Sequence, residues 1–130
     1  MTLSPTTKKT IFCDIDGTLL THAGGIEPLL ATLNEKTYIL PPNILPGVRE
    51  KLQEWEDKGY NIILTTGRRE SLREATEKQL FKLGISYDQL VMGIGGGQRI
   101  LINDLKTDCD EPMAVAINLV RNKGMEDIEI

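Results

Sequence analysis

Aromatic residues are scarce in this chain, only 5% of its 130 residues. A core built here must rest on isoleucine, leucine and valine. Cysteines number 2, Cys13 and Cys109, and they have no metal-type pair spacing. A reduced, cytoplasmic setting is expected. The lone histidine, His22, reads as a surface-loop residue rather than a catalytic group. Positive charge is not in excess. The formal net charge of −4 argues against a broad nucleic-acid-binding surface, although it does not bear on a local site. No apolar run approaches membrane-spanning length, so no membrane partner is expected. The polar amino terminus, with Pro5, Lys8 and Lys9, lacks the apolar segment of a secretion signal. There is no internal repeat.

What is present is ordinary for a soluble globular domain, with 40% hydrophobic and 26% charged residues. The length suits one domain over residues 1–130, with 1–8 loosely held. Residues 9–13 form an apolar run of strand type. Residues 21–42 are punctuated by Gly24, Gly25, Pro28, Pro41 and Pro42, and fit a loop or a β-flap as well as a short helical turn at Leu29, Leu30 and Leu33 or a short strand over 37–40. Pro46 opens a helix whose stripe is Val48, Leu52 and Trp55, and Gly59 ends it. Residues 60–64 form a second strand. A second helix spans 70–83 with Leu72, Ala75, Leu80 and Leu83 as its buried stripe, and it stops at Gly84. Its charges, such as Arg73, Glu74, Glu77 and Lys78, form a solvated face. A third strand is expected over 89–92, a glycine-rich connection over 93–97 and a fourth strand over 99–102. A third helix runs from Pro112 to Gly124, and 127–130 adds an edge strand. Alternating strands and helices predict an α/β fold with a mostly parallel sheet covered on both faces.

The most informative stretch is Ile11-Phe12-Cys13-Asp14-Ile15-Asp16-Gly17-Thr18-Leu19-Leu20. It reads as a strand that ends on two carboxylates and turns. Open α/β sheets place their ligand sites at the carboxyl ends of strands. Asp and Gly are also common in plain turns, so Asp-x-Asp alone is ambiguous. The whole run is more specific. It resembles the first signature of the haloacid dehalogenase (HAD) superfamily of phosphohydrolases. That resemblance implies Asp14 as nucleophile and Asp16 as general acid/base. The chemistry agrees: a carboxylate can attack phosphorus, and a second carboxyl group can protonate the leaving oxygen. Two carboxylates repel a phosphate dianion, so a hard cation such as Mg²⁺ is expected as cofactor.

Two further stretches resemble the same superfamily. Thr65-Thr66-Gly67-Arg68 follows the second strand, where a hydroxyl and backbone amides can hold phosphate oxygens. The phosphate-binding role falls on Thr66, with Thr65 as runner-up and Gly67 and Arg68 beside it. Without the first signature, a helix cap is the simpler reading of that threonine. Residues 100–108 resemble the metal signature. Asp104 matches the main ligand, joined by Asp14 and by Asp16 through its main-chain carbonyl, with Asn103 and Asp108 in support. Asn103 stands where the superfamily has Gly or Asp. The resemblance also implies a cation that links nucleophile and phosphate. Lys106, Arg99 and Lys82 are candidates, and Lys106 is favoured because it shares a loop with Asp104. The glycines of 93–97 do not open a helix, which a dinucleotide fingerprint requires.

The resemblance implies a three-layer HAD-type Rossmann-like sandwich with no large cap domain. The site is then open, to a phosphate on a sizeable molecule or to a neighbouring subunit acting as lid. The expected function is Mg²⁺-dependent phosphomonoester hydrolysis through an aspartyl-phosphate. Leu-Pro-Gly-Val ahead of the second strand and Asn-Asp-x-Lys in the metal loop resemble small HAD proteins of bacterial surface-sugar synthesis. A small phosphorylated substrate, a sugar phosphate, is expected. The alternatives are a polynucleotide or nucleotide phosphatase, and a catalytically silent phosphosugar-binding protein.

Overall fold

The computed structural model describes residues 8–22, 44–108 and 110–130. The expectations for 1–7, for 23–42 and for Cys109 lie outside the described residues. Among the described residues five regular elements follow one another: β1 (Thr10–Asp14), α1 (Val48–Asp57), β2 (Asn61–Thr65), α2 (Arg73–Lys82) and β3 (Gln89–Val91). A short 3₁₀ turn, Glu70–Leu72, leads into α2. The strands form a parallel sheet in the order β1-β2-β3. This is a small Rossmann-like α/β arrangement, with a helix in each crossover.

Local chemistry explains both helix ends. After α1, the Gly59 N–H donates to the Glu56 carbonyl and the Tyr60 N–H to the Trp55 carbonyl. After α2, the Gly84 N–H reaches Phe81 and the Ile85 N–H reaches Leu80. Both are Schellman closures. Gly59 and Gly84 sit at φ 74° and 72°, where a side chain would be strained. In each case the residue after the glycine is buried beside the one it bonds: Tyr60 with Trp55, Ile85 with Leu80.

Burial along β1 and β2 alternates, with Ile11, Cys13, Ile62 and Leu64 inward. Val48, Leu52 and Trp55 of α1 join them in one apolar cluster. Phe12, on the other face of β1, is 58% exposed. The alternation of strands and helices suggested a sheet covered on both faces; among the described residues the core lies on one face.

The carboxyl-terminal third departs further from expectation. Residues 99–102 form no strand, 112–124 no helix and 127–130 no edge strand. Ile100, Leu101 and Ile102 are all exposed, so neither face of that run is packed, and a strand without a pairing partner has little to hold it. Gly124 does not end a helix. It lies where the chain crosses Pro46, and the Met125 N–H donates to the Pro46 carbonyl at 2.9 Å. Met125 fills the core at 1% exposure. No helix among the described residues is long and apolar enough to cross a membrane.

Candidate functional site

The site lies at the carboxyl ends of β1 and β2. Asp14 is the last residue of β1 and pairs in register with Thr65, the last of β2. Beyond Asp14 the chain winds around the Ile15 carbonyl, which accepts the N–H groups of Thr18, Leu19 and Leu20. Ile15, Leu19 and Leu20 are fully buried. These apolar residues clamp the loop from below, and the two acids are left at its mouth.

The two carboxylates have unlike surroundings. Asp14 is half-buried, and the Thr18 hydroxyl donates to its Oδ2 at 3.4 Å. Burial pushes its pKa up, the Asp16 charge pushes it further, and the Ile15 amide, the Arg99 charge and the Thr18 hydroxyl oppose them. Asp16 instead meets Arg68 head-on. Arg68 Nε donates to Oδ2 at 2.9 Å and Nη2 to Oδ1 at 2.7 Å, a two-pronged pairing that fixes the plane of the carboxylate.

Arg68 is itself held from behind. Its Nη1 donates to Gln79 Oε1 at 2.7 Å and to Thr76 Oγ1 at 3.2 Å, both on α2 and both fully buried. Sequence reasoning missed these two residues. The expected apolar stripe of α2 placed Ala75 inside, but the buried positions are Thr76, Gln79 and Leu80. The signal was a threonine and a glutamine at helical spacing on the inward side, which periodicity of apolar residues passes over.

Thr66 is 1% exposed, and its hydroxyl oxygen accepts the Arg68 N–H at 3.1 Å. Its backbone is tied on both sides. The Thr66 N–H reaches the Val91 carbonyl and the Ile94 N–H reaches the Thr66 carbonyl. The Gly93 N–H donates to the Arg68 carbonyl at 2.7 Å, and Gly67 faces the Gly95 carbonyl so closely that a Cβ would stand 3.1 Å from it. The glycine-rich connection after β3 therefore packs on the Thr-Gly-Arg turn. Thr65 is half-buried beside Asp14.

The cation whose charge reaches Asp14 is Arg99, which also donates to the Gly97 carbonyl. Lys106 instead pairs with Asp104 at 3.5 Å, on an exposed segment with Asn103 and Asp108. Lys82 closes α2 and is exposed. Among the described residues no group of three or more His, Cys, Asp or Glu side chains is gathered as a metal site. Asp104 is thus not joined to Asp14 and Asp16. Asn122, which the sequence did not single out, secures the acid loop. Its N–H donates to the Gly17 carbonyl at 2.9 Å, and its Oδ1 accepts the His22 N–H at 2.7 Å. The stem of Arg121 consequently crosses Gly17.

No family profile matches the chain, and no curated protein matches it. Solved structures do. A chain in a Pnkp1/Rnl/Hen1 complex is 31% identical, with a TM-score of 0.51 over 72% of this chain and 30% of that one. A chain in the Pnkp1/Rnl/Hen1 RNA repair complex is 30% identical, with a TM-score of 0.52 over 68% of this chain and 27% of that one. This chain therefore resembles, over somewhat less than a third of their length, chains that work within multi-protein complexes.

Proposed function

We propose that this chain is a phosphohydrolase domain of HAD type that acts on the terminal phosphate of a nucleic-acid chain. A sugar phosphate, expected from the sequence, is set aside. The chains similar to this one belong to Pnkp1/Rnl/Hen1 complexes, one of them an RNA repair complex, and that likeness turns the substrate toward polynucleotide ends. The net charge of −4 had argued the other way, but charge over the whole chain does not describe the site. Arg99 acts on Asp14, and Arg121 lies across the acid loop at Gly17. Protein partners belong to the same proposal.

The observation that carries this reading is the unlike treatment of Asp14 and Asp16. Neighbouring carboxylates held in different environments can take different roles. Asp14, half-buried and without an arginine fork, is suited to attack phosphorus. The ester P–O bond breaks as the new bond forms, and the leaving oxygen takes the proton that Asp16 must carry, as the acid, when substrate binds. Water then attacks the phosphorus of the aspartyl-phosphate and gives its proton to Asp16. Inorganic phosphate leaves and Asp14 is restored. Arg68 occupies one face of each Asp16 oxygen. A carboxylate has about four lone-pair sites, so Asp16 keeps capacity toward the substrate. Of the Thr66–Arg68 turn, the Gly67 backbone amide would meet a phosphate oxygen, since the Thr66 and Arg68 amides are held by Val91 and by the Thr66 hydroxyl.

The donor set fits a magnesium ion, which needs only one or two carboxylates and keeps its waters. Asp14 and the main-chain carbonyl of Asp16 would hold it, and its charge would offset repulsion between Asp14 and phosphate. Asp104 joins that set only if its segment moves. The test is a panel of substrates with Mg²⁺: oligonucleotides phosphorylated at either end against a series of sugar phosphates. Turnover confined to oligonucleotide ends supports the proposal, and turnover confined to sugar phosphates refutes it.

A further inference from the structure

We infer that Thr76 and Gln79 are positioning residues, which act through Arg68 to fix the Asp16 carboxylate for proton transfer. The inference rests on the hydrolase reading above and extends the site to the buried face of α2. Arg68 has five N–H donors and no acceptor. Four hydrogen bonds are accounted for, two to Asp16 and two to α2. One edge of the guanidinium therefore grips the acid, and the far nitrogen is gripped by the helix. Without the second grip, a long arginine side chain has many rotamers in which the fork no longer faces Asp16.

Gln79 shows that the fold accepts a cost to keep this arrangement. Only its amide oxygen can face a guanidinium, so its NH₂ group is turned away. That Nε2 is buried and has no hydrogen-bond partner among the described residues. Buried polar atoms are rarely left so. A helix that merely covered the sheet would place leucine there, as α2 does at the next position, Leu80. The glutamine is explained by its oxygen, and the oxygen by Arg68. The chain order helps, since Arg68 lies at the turn that leads through Glu70–Leu72 into α2. The helix folds back over its own entry and fixes the residue that precedes it.

The test compares Gln79→Met, Thr76→Val and Thr76→Ser with wild type. Hydrolysis of p-nitrophenyl phosphate with Mg²⁺ is followed for kcat and KM, and nitrogen-15 NMR follows the Arg68 Nε–H. Gln79→Met and Thr76→Val should lower kcat roughly 10- to 100-fold, with KM nearly unchanged, as expected when a distant change misplaces a reacting group. The Arg68 Nε–H should exchange slowly in wild type, where it is bonded to Asp16, and should lose protection in both variants. Thr76→Ser, which keeps the hydroxyl, should recover both readouts. An unchanged kcat, or a protected Arg68 Nε–H in Gln79→Met, overturns the inference. Asp14→Asn in the same assay separates the two levels: if it retains turnover the hydrolase reading fails, while the NMR still decides whether α2 holds Arg68.

Discussion

Replacing Arg68 by methionine removes the guanidinium and keeps a side chain of similar length. The cost can be worked out partner by partner. Thr76 and Gln79 are fully buried, so each loses a hydrogen bond that water cannot replace. An orphaned buried polar group costs roughly 1–3 kcal/mol. The Asp16 side chain is 32% exposed, so water takes up much of what the arginine gave, and that loss is about 1 kcal/mol or less. The total is about 2–7 kcal/mol. For a domain of this size that corresponds to a fall in melting temperature of roughly 6–28 °C. Stability of a typical domain is about 5–15 kcal/mol, so the variant should still fold. Urea unfolding followed by the fluorescence of the single, buried Trp55 measures it. The triple variant Arg68→Met/Thr76→Val/Gln79→Met gives the sharper result. Removing both partners of a buried hydrogen bond is nearly neutral, so the triple variant should recover most of the loss. If Arg68→Met costs less than about 1 kcal/mol, or the triple variant is less stable than the single one, the network does not work as described.

The other predictions concern charge, space and reactivity. The Asp14 pKa is raised by burial first and the Asp16 charge second, so the folded state holds that proton better than the unfolded chain does. The resulting stabilisation is complete below the unfolded carboxyl pKa and is lost as pH rises through the raised folded value. Asp14→Asn should therefore resist urea better than wild type at neutral pH, and the gap should close in acid; a less stable variant at neutral pH contradicts this. Gly124→Ala should cost roughly 2–5 kcal/mol by urea unfolding, because Gly124 has φ 85° and a Cβ would stand 2.9 Å from Pro46 N and 3.0 Å from its carbonyl carbon. Gly93→Ala, with φ 74° and open space around it, should lose only about 1–2 kcal/mol. The Cys13 thiol is buried and its pKa is pushed up to about 12, by desolvation first and Asp14 second, so it should resist iodoacetamide until the protein unfolds.

The first half of the fold was legible because its signals are local. Gly59 and Gly84 mark helix ends through left-handed closures made within a few residues. The acid loop was legible because Ile15, Leu19 and Leu20 bury what the intervening polar residues cannot. The 99–102 run was misread because an apolar stretch announces a strand but not its partner, and none of its hydrophobic side chains is covered. The 112–124 stretch failed for a related reason. Val115 and Val120 within it are 77% and 70% exposed, and the chain is held at Asn122 and Met125 instead. Thr76 and Gln79 were missed because their burial depends on Arg68, eight and eleven positions earlier in the chain. No helical wheel of apolar residues contains that relation.

The central claim is that Asp14 carries the phosphoryl group during turnover. Rapid acid quench of the working protein, with Mg²⁺ and an oligonucleotide bearing a terminal phosphate, followed by peptide mass spectrometry, tests it most directly. The account predicts one added phosphoryl group on the peptide that contains Asp14, absent in Asp14→Asn, whose turnover is also lost. Full turnover by Asp14→Asn in a contaminant-free preparation, or a phosphoryl group trapped on another residue, would contradict it.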